Sequence, residues 1–174
     1  PPVVRSYESF GEIFVDFFDK SPFADYRKEL ELSEAISRVS WKKSGMKFQS
    51  ECFVSEEFDA LVYKLWNDGR PFSCKVSLKR KRDAYSASLR KDEILLNGRL
   101  NTADSPLYGE GCEGMSFGGK LKIVTDGTLT PDHDFVTVTN CTYVVLYGAF
   151  ETNYSIEKFD IDEAIDYRAK INAC

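Results

Sequence analysis

Histidine and closely spaced cysteines are scarce in this sequence of 174 residues, which excludes several kinds of site. There is one histidine, and the five cysteines include no Cys-x-x-Cys pair. Structural zinc sites draw on closely spaced ligand pairs, so the sequence predicts no metal site. The odd cysteine count argues against a closed disulfide framework. The strand-like surroundings of Cys52, Cys74 and Cys141 predict small core residues.

The sequence also lacks a net positive charge and long apolar runs. The formal net charge is −5, whereas nucleic-acid-binding domains present a basic surface. We interpret the run Lys79-Arg80-Lys81-Arg82 as a solvent-exposed turn, with a nucleic-acid or lipid patch as the alternative. No stretch reaches the roughly 20 apolar residues of a transmembrane helix. We therefore expect neither nucleic acid nor a membrane as a partner. The sequence shows no signal-peptide pattern, so the cellular compartment is not predicted.

Motifs for nucleophilic catalysis or phosphate binding are missing as well. His133 stands between Asp132 and Asp134, but no Gly-x-Ser-x-Gly elbow accompanies it, so an exposed turn histidine is favoured over a Ser-His-Asp or metal site. The Gly-rich stretch 109–119 lacks the Gly-Lys-Ser/Thr end of a P-loop, and a strand pattern follows it instead of a helix. We predict an irregular loop there and no cofactor, with phosphate binding as the weaker alternative.

Alternation of apolar and polar residues dominates what is present. Phe72, Cys74, Val76 and Leu78 alternate with polar residues, as in a half-buried strand. Similar patterns occupy residues 46–54, 85–89, 121–123 and 136–138. Apolar residues on both faces predict central strands at 10–17, 58–66 and 143–150, and Asn97-Gly98 predicts a break within 94–100. Many short strands separated by turn residues predict an all-β antiparallel sandwich.

Two segments give less direct signals. Residues 30–39 fit either a helix, with Leu32, Ala35, Ile36 and Val39 at helical spacing, or two strands joined at Ser33-Glu34. At the C-terminal end, Asp160 and Glu163 form a capping-box-like pair before an apolar stripe at helical spacing. We predict a β-sandwich domain over residues 1–158 and a C-terminal helix or linker over 159–174.

A longer signature lies within residues 26–55. It begins with Tyr-Arg-x-x-Leu-x-Leu-x-x-Ala and continues as two strand-like segments around Ser44-Gly45, the second ending in Glu-x-Phe-x-Ser. This order resembles the N-terminal β-sandwich domain of glycoside hydrolase family 95, the α-L-fucosidase type. The similarity is weaker at 117–126 and 136–154, and the family's opening Gly-Asn-Gly-Arg-Leu-Gly and Leu-Asn-x-Asp-x-x-Trp segments do not precede Ser6. The matching residues are mostly packing positions, so they indicate fold more than activity.

The resemblance implies a supersandwich-like fold and a domain that has no catalytic activity on its own. Family 95 enzymes carry their catalytic residues in an (α/α)6 barrel that has no counterpart here. The chain would then be a fragment whose role is to pack against the helical barrel domain of a parent protein, with carbohydrate contacted only through that domain. Because the front strands are missing, open sheet edges are expected to meet a partner surface or to form a homodimer.

The same resemblance guides the search for site residues. Glycoside hydrolysis needs two carboxyl groups, but Glu110, Glu113 and Glu151 are only three of 28 acidic residues, and we predict no catalytic residue.

Aromatic side chains suggest an alternative function, a free-standing carbohydrate-binding module. Tyr108, in the Gly-rich loop, is the sugar-contact candidate. Trp41 and Trp66 lie in strand patterns and are predicted core residues, and Tyr154 is a weaker candidate.

Overall fold

The computed structural model describes residues 9–102 and 112–173. These ranges form β-structure throughout, apart from one short helix at the C-terminal end. The elements are β1 (Glu12–Phe17), β2 (Phe23–Glu31), β3 (Ile36–Lys43), β4 (Met46–Ser55), β5 (Ala60–Asn67), β6 (Phe72–Lys79), β7 (Ala84–Arg90), β8 (Glu93–Thr102), β9 (Cys112–Thr125), β10 (Thr128–Pro131), β11 (Phe135–Cys141), β12 (Tyr143–Thr152), β13 (Tyr154–Ser155), β14 (Asp160–Ile161) and α1 (Tyr167–Ala173). The predicted all-β class with a short C-terminal helix is confirmed.

Two antiparallel sheets form the sandwich. The smaller has the strand order β1-β6-β11-β10, and the larger has the order β2-β3-β4-β5-β12-β9-β8-β7, while β13 and β14 pair separately. Strands β5 and β6 lie in different sheets, so the turn at residues 67–69 carries the chain from one sheet to the other. Gly69 has a φ of 89°, and its N–H donates to Asn67 Oδ1 at 3.0 Å. The predicted turn at Asn67-Asp68-Gly69 is thus confirmed.

The hydrophobic core lies between the sheets because alternate residues of each strand point inward. The four apolar residues of β6, from Phe72 to Leu78, are at most 7% exposed. They belong to one buried cluster with Leu65, Leu121, Ile123, Val144 and Leu146 of the larger sheet. Full burial of one such aliphatic side chain stabilises a fold by about 1.5–3 kcal/mol. The alternating pattern of β6 therefore predicted its buried face correctly.

Four aromatic rings join the two sheets near the turns 44–45 and 67–69. Phe48 stacks on Trp41 with centroids 5.6 Å apart and an interplanar angle of 11°. Phe17 and Phe72, from the smaller sheet, meet Phe48 edge-on at 5.1 and 5.3 Å. Such offset and edge-on pairs are favourable beyond simple burial. Trp41 packs against the core, as predicted.

The ambiguous segment 30–39 forms two strands. Residues of β2 and β3 pair antiparallel, with Leu30 opposite Ser37 and Glu31 opposite Ile36. The connection includes Ala35 at a φ of 54°, a left-handed conformation that a continuous helix does not contain. The two-strand interpretation is confirmed.

Three strands were predicted to lie in the centre of a sheet, and the prediction is correct for two of them and wrong for one. Strand β5 lies between β4 and β12, and β12 lies between β5 and β9. Strand β1, however, is an edge strand of the smaller sheet, and its residues alternate between exposed and half-buried. Phe14 and Phe18 are 39% and 54% exposed, so the apolar residues on its second face do not mark a buried strand.

The glycines of β8 and β9 lie inside strands, which corrects two predictions. Strand β8 continues through Asn97-Gly98 without a break, and the described part of the predicted irregular stretch, from Cys112 onward, belongs to β9. The physical reason is close packing: a Cβ at Gly98 would be 2.2 Å from Phe117 Cζ, and one at Gly119 would be 2.6 Å from Phe150 Cδ1.

The C-terminal helix begins later than predicted. Asp160 and Ile161 belong to β14, and α1 begins at Tyr167 after a cap by Asp166, whose Oδ1 accepts the N–H groups of Arg168 and Ala169 at 3.1 and 3.0 Å. The carboxylate of Asp160 instead accepts the neighbouring N–H of Ile161 at 2.7 Å, a local bond that competes with helix formation. The domain boundary between residues 158 and 159 stays a prediction.

Candidate interdomain surface

The core-facing side of the larger sheet continues past the smaller sheet. Leu30 pairs with Ser37, Ser37 with Cys52, and Cys52 with Tyr63, so these residues share one face. Tyr63 in turn pairs with Leu146, which is fully buried in the core. The same face that forms the core therefore reaches the edge strand β2.

This side is apolar but uncovered at β2 and β4. Leu30 is 65% exposed and Val54, two residues beyond Cys52 on the same face, is 69% exposed. Leu61, opposite Val54, is half-buried. We call Leu30, Cys52, Val54, Leu61 and Tyr63 the open flank. Contiguous exposed apolar patches are typical of interaction surfaces.

Other apolar side chains on β2 and the turn after it extend the exposed area. Phe23 is 65% exposed, Tyr26 57% and Leu32 81%, and the rings of Phe23 and Tyr26 lie 5.9 Å apart. The resemblance predicted packing positions at Tyr26, Leu30 and Leu32. In the described structure these residues face solvent, so the described part of the chain does not supply the packing that the resemblance predicted.

The two ionisable groups of the open flank, Cys52 and Tyr63, are half-buried. Burial raises the pKa of the Cys52 thiol, and burial likewise raises the pKa of Tyr63, because a low-dielectric environment disfavours the charged form. Both side chains are therefore neutral at physiological pH, and the centre of the flank carries no charge. This suits a hydrophobic contact.

The edge of β2, in contrast, is charged. Arg27 forms an ion pair with Glu29 at 2.5 Å, and Asp25 with Lys42 at 2.7 Å. Exposed charges on an edge strand hinder uncontrolled pairing with another strand. Contact through the open flank is thus favoured over edge-to-edge pairing.

Among the described side chains, none forms a catalytic relay with His133. His133 lies exposed in the turn between β10 and β11, as predicted, and shares a small surface depression with Ser86 and Asp134. Asp134 contacts Lys79 Nζ at 2.7 Å, and the hydrogen bond from Lys79 lowers the pKa of Asp134. Ser86 Oγ donates to the Leu78 carbonyl, so the serine and the aspartate are both engaged away from the imidazole.

The cysteines with described side chains are structural. Cys74 and Cys141 are fully buried free thiols, and Cys52 is half-buried. A hydrogen bond with Cys141, followed by burial, raises the pKa of Cys74, so Cys74 is not a thiolate nucleophile. The predicted role as small core residues is confirmed for Cys74 and Cys141.

The described carboxyl groups show no sign of a general acid for glycoside hydrolysis in their pKa values. Where the pKa of a described carboxyl group departs from its ordinary value, as at Asp19, Asp92 and Asp126, it is lowered, whereas a general acid needs a raised pKa. Glu151 lies 3.8 Å from Lys170 Nζ. Within the described residues, no group of three or more His, Cys, Asp or Glu side chains is placed to hold a metal ion.

The aromatic candidates are scattered. Tyr108 and Glu110 lie outside the described residues, and the side chain of Glu113 is not described either. Trp66 is half-buried in the larger sheet with Lys64 Nζ 5.0 Å from its ring, and Tyr154 is 43% exposed in β13. The described aromatic candidates therefore do not form a shared sugar platform.

The basic run has the turn geometry that was expected. Lys81 and Arg82 are exposed between β6 and β7, and Arg80 Nε donates to the Arg82 carbonyl at 2.9 Å. The one described helix, α1, is too short to span a membrane.

The two-sheet architecture defines the class of protein, an antiparallel β-sandwich domain with one short C-terminal helix. The family model described as glycosyl hydrolase family 65, N-terminal domain, matches residues 2–157, and the chain belongs to this family. A search of curated proteins found no match. The resemblance to a glycoside hydrolase N-terminal domain is thus confirmed, while its narrower assignment to family 95 is not.

Sequence reasoning did not find the open flank. The alternating pattern of β4 shows that Cys52 and Val54 share a face with Phe48, but no local signal tells which part of that face a second sheet covers. The one sequence signal for this surface was the Leu-x-Leu part of the signature, whose residues Leu30 and Leu32 are exposed in the structure.

Proposed function

We propose that this chain is a non-catalytic N-terminal domain that packs its open flank against a separate helical catalytic domain of a parent glycoside hydrolase. The observation that carries the proposal is the exposure of Leu30 and Val54, 65% and 69%, on the face that forms the hydrophobic core elsewhere. A partner domain would complete that core. The contact would position the catalytic domain without supplying reacting groups.

The expected energy of this contact is moderate. Full burial of a Leu or Val side chain contributes about 1.5–3 kcal/mol. Since roughly two-thirds of each side chain is still exposed, covering Leu30 and Val54 would contribute about 2–4 kcal/mol in total. This is a substantial share of a typical interdomain contact, and it depends on two residues that can be changed without disturbing the buried core.

The finer features of the proposal come from the sequence resemblance. A catalytic domain of the (α/α)6 type and α-L-fucosidase activity of the parent protein are implied by the signature in residues 26–55. The family 65 match over residues 2–157 supports an N-terminal domain of a glycoside hydrolase. Carbohydrate is then an indirect partner, bound by the helical domain.

Binding to the helical domain tests the proposal. The coding sequence directly downstream should encode an α-helical barrel, and the separately produced barrel should bind this chain in titration calorimetry. Leu30→Glu and Val54→Glu should each weaken binding by about tenfold or more, because a charge would enter an apolar contact. Val124→Glu is the matched control, since Val124 is 41% exposed on β9 of the same sheet and lies outside the open flank.

Three results would contradict the proposal. One is binding to the barrel that is unaffected by both flank variants. Another is a homodimer in size-exclusion chromatography that Leu30→Glu and Val54→Glu abolish, which would assign the flank to a second copy of the chain. The third is hydrolysis of an aryl fucoside by the isolated chain that is lost when one of its own carboxylates is mutated.

The alternative function is a free-standing carbohydrate-binding module that uses loop aromatics such as Tyr108. A glycan array with the isolated chain separates the two functions. Micromolar glycan binding that is lost in Tyr108→Ala would favour the carbohydrate-binding module. Absence of binding to any glycan would favour the supporting domain.

A further inference from the structure

A groove lies on the outer face of the larger sheet, between edge strand β7 and helix α1. Tyr85 pairs with Asn97, and Asn97 pairs with Gly118, so these residues form one row across β7, β8 and β9. Gly118 lies beneath Tyr167, because a Cβ at Gly118 would be 2.8 Å from Tyr167 Cε2. The row therefore runs from one tyrosine ring to the other, with the Asn97 carboxamide between them.

The groove is large enough for a small ligand. Its volume is about 540 Å³, within the usual range of about 300–1,000 Å³ for ligand sites. Tyr85 is 64% exposed, and Asn97 and Tyr167 are half-buried. Among the described hydrogen bonds, none engages the Asn97 carboxamide or the Tyr85 hydroxyl. These polar groups line the groove together with Arg168, which is exposed.

Two contacts hold the α1 side of the groove in place. Arg99 on β8 forms an ion pair with Glu163 at 2.9 Å and donates from Nε to the Gly114 carbonyl at 3.2 Å, which ties the segment before α1 to the sheet. Arg168 Nε donates to the Tyr167 hydroxyl at 3.2 Å, with the guanidinium 5.5 Å from the ring centroid. The second tyrosine and its neighbouring guanidinium are therefore oriented before any ligand binds.

Charges of both signs border the groove. At its β7 end Asp83 lines the groove, and the exposed Lys81 and Arg82 immediately precede it. At its α1 end the exposed Arg168 lines the groove. Since Arg99, the other cation in the lining, is paired with Glu163, Arg168 is the cation placed to meet a bound anion.

The groove combines three recognition elements. Tyrosine rings offer flat apolar faces with a polar hydroxyl at the edge, and a carboxamide both donates and accepts hydrogen bonds, as sugar hydroxyls require. A guanidinium binds carboxylates and similar oxyanions through two parallel N–H donors. We propose that the groove binds an anionic oligosaccharide, whose rings pack against Tyr85 and Tyr167 and whose carboxylate or sulfate contacts Arg168. The site involves neither the open flank nor Tyr108, so it does not depend on the proposed function.

The test is titration calorimetry of the full chain at low ionic strength. The probes are an oligogalacturonate hexamer, which carries carboxylates, a heparin-derived hexasaccharide, which carries sulfates, and neutral cellohexaose. We expect one or both anionic sugars to bind and cellohexaose not to bind. Arg168→Ala and Tyr85→Ala should each weaken the binding by about tenfold or more, the loss typical of one charge-assisted hydrogen bond or one aromatic contact.

Matched controls are available on the opposite edge of the same sheet. Tyr26→Ala and Arg27→Ala replace the same residue types at exposed positions of β2 and should leave the affinity unchanged, with far-UV circular dichroism confirming that all variants fold. Tighter binding of the oligogalacturonate hexamer would identify a carboxylate as the group that is recognised, and tighter binding of the heparin-derived hexasaccharide would identify a sulfate. The proposal is overturned if neither sugar binds, if an oligonucleotide of equal charge binds equally well, or if the groove variants behave like the β2 controls.

Discussion

Truncation of Phe48 is the most direct test of how the two sheets are joined. Phe48 is 0% exposed and contacts three other rings: it stacks on Trp41 and meets Phe17 and Phe72 edge-on. The substitution Phe48→Ala removes the ring at the centre of this group. It leaves a cavity lined by residues from both sheets, since Phe17 and Phe72 lie on β1 and β6 of the smaller sheet and Trp41 lies on β3 of the larger one.

The expected loss of stability is large. Phe-to-Ala changes in a core cost about 3–5 kcal/mol, and three aromatic contacts place this site in the upper part of that range, about 4–5 kcal/mol. For a domain of 150–250 residues, each kcal/mol lowers the melting temperature by about 2–4 °C. We therefore expect a decrease of roughly 8–20 °C.

Urea and thermal unfolding followed by far-UV circular dichroism measure this loss. Fluorescence is unsuitable, because Trp41 stacks on the mutated ring and its emission would change for local reasons. Phe23→Ala, at a position 65% exposed on β2, is the control and should stay within about 0.5 kcal/mol of the parent chain. Phe48→Leu should fall between the two. A loss below about 1 kcal/mol for Phe48→Ala would refute the view that this ring joins the sheets.

Three further predictions concern single residues. Gly98→Ala should lower the free energy of unfolding by about 1–3 kcal/mol in urea titration, because its Cβ would lie 2.2 Å from Phe117 Cζ; an unchanged midpoint would contradict the close packing of β8. Hydrogen bonds from Ser44 and Ser21 lower the pKa of Asp19 to about 2. The stabilisation from this carboxylate is therefore complete above the unfolded pKa of about 4 and is lost as the pH falls toward 2. An NMR titration should give that low midpoint, and Ser44→Ala should raise it. Asp166→Ala should destabilise the chain by about 1 kcal/mol through loss of the α1 cap, and faster amide exchange confined to residues 168–173 would show the cause.

The family of the chain was only partly readable from the sequence. The signature in residues 26–55 indicated the N-terminal domain of a glycoside hydrolase, and this is the class that the family match supports. The residues of the signature serve folding and packing, which related families share, so they do not distinguish family 95 from family 65. Catalytic residues would make that distinction, and the signature in residues 26–55 contains no catalytic constellation.

Local sequence determined the strands and most of the turns. The alternation in β6 and the Asn67-Asp68-Gly69 turn depend on residues close in the chain, whose side chains and backbone preferences act over a few positions. The two strands of segment 30–39 needed the resemblance, because the apolar spacing alone also fits a helix. The start of α1 was missed because Asp160 and Asp166 offer similar capping side chains, and only the surrounding packing selects one.

Tertiary structure alone decided which apolar faces are covered. The same alternating pattern buries Val76 completely and leaves Val54 69% exposed, because coverage depends on whether a strand from the other sheet lies opposite. The local sequence around Gly98 predicts a turn. In the structure, the missing side chain of Gly98 allows the ring of Phe117 on the neighbouring strand to pack against it. The groove likewise requires Tyr85 and Asn97, which strand register brings together, and Tyr167, which joins them because α1 packs over Gly118. Contacts of this kind are properties of the assembled sheets, and no short window of sequence contains them.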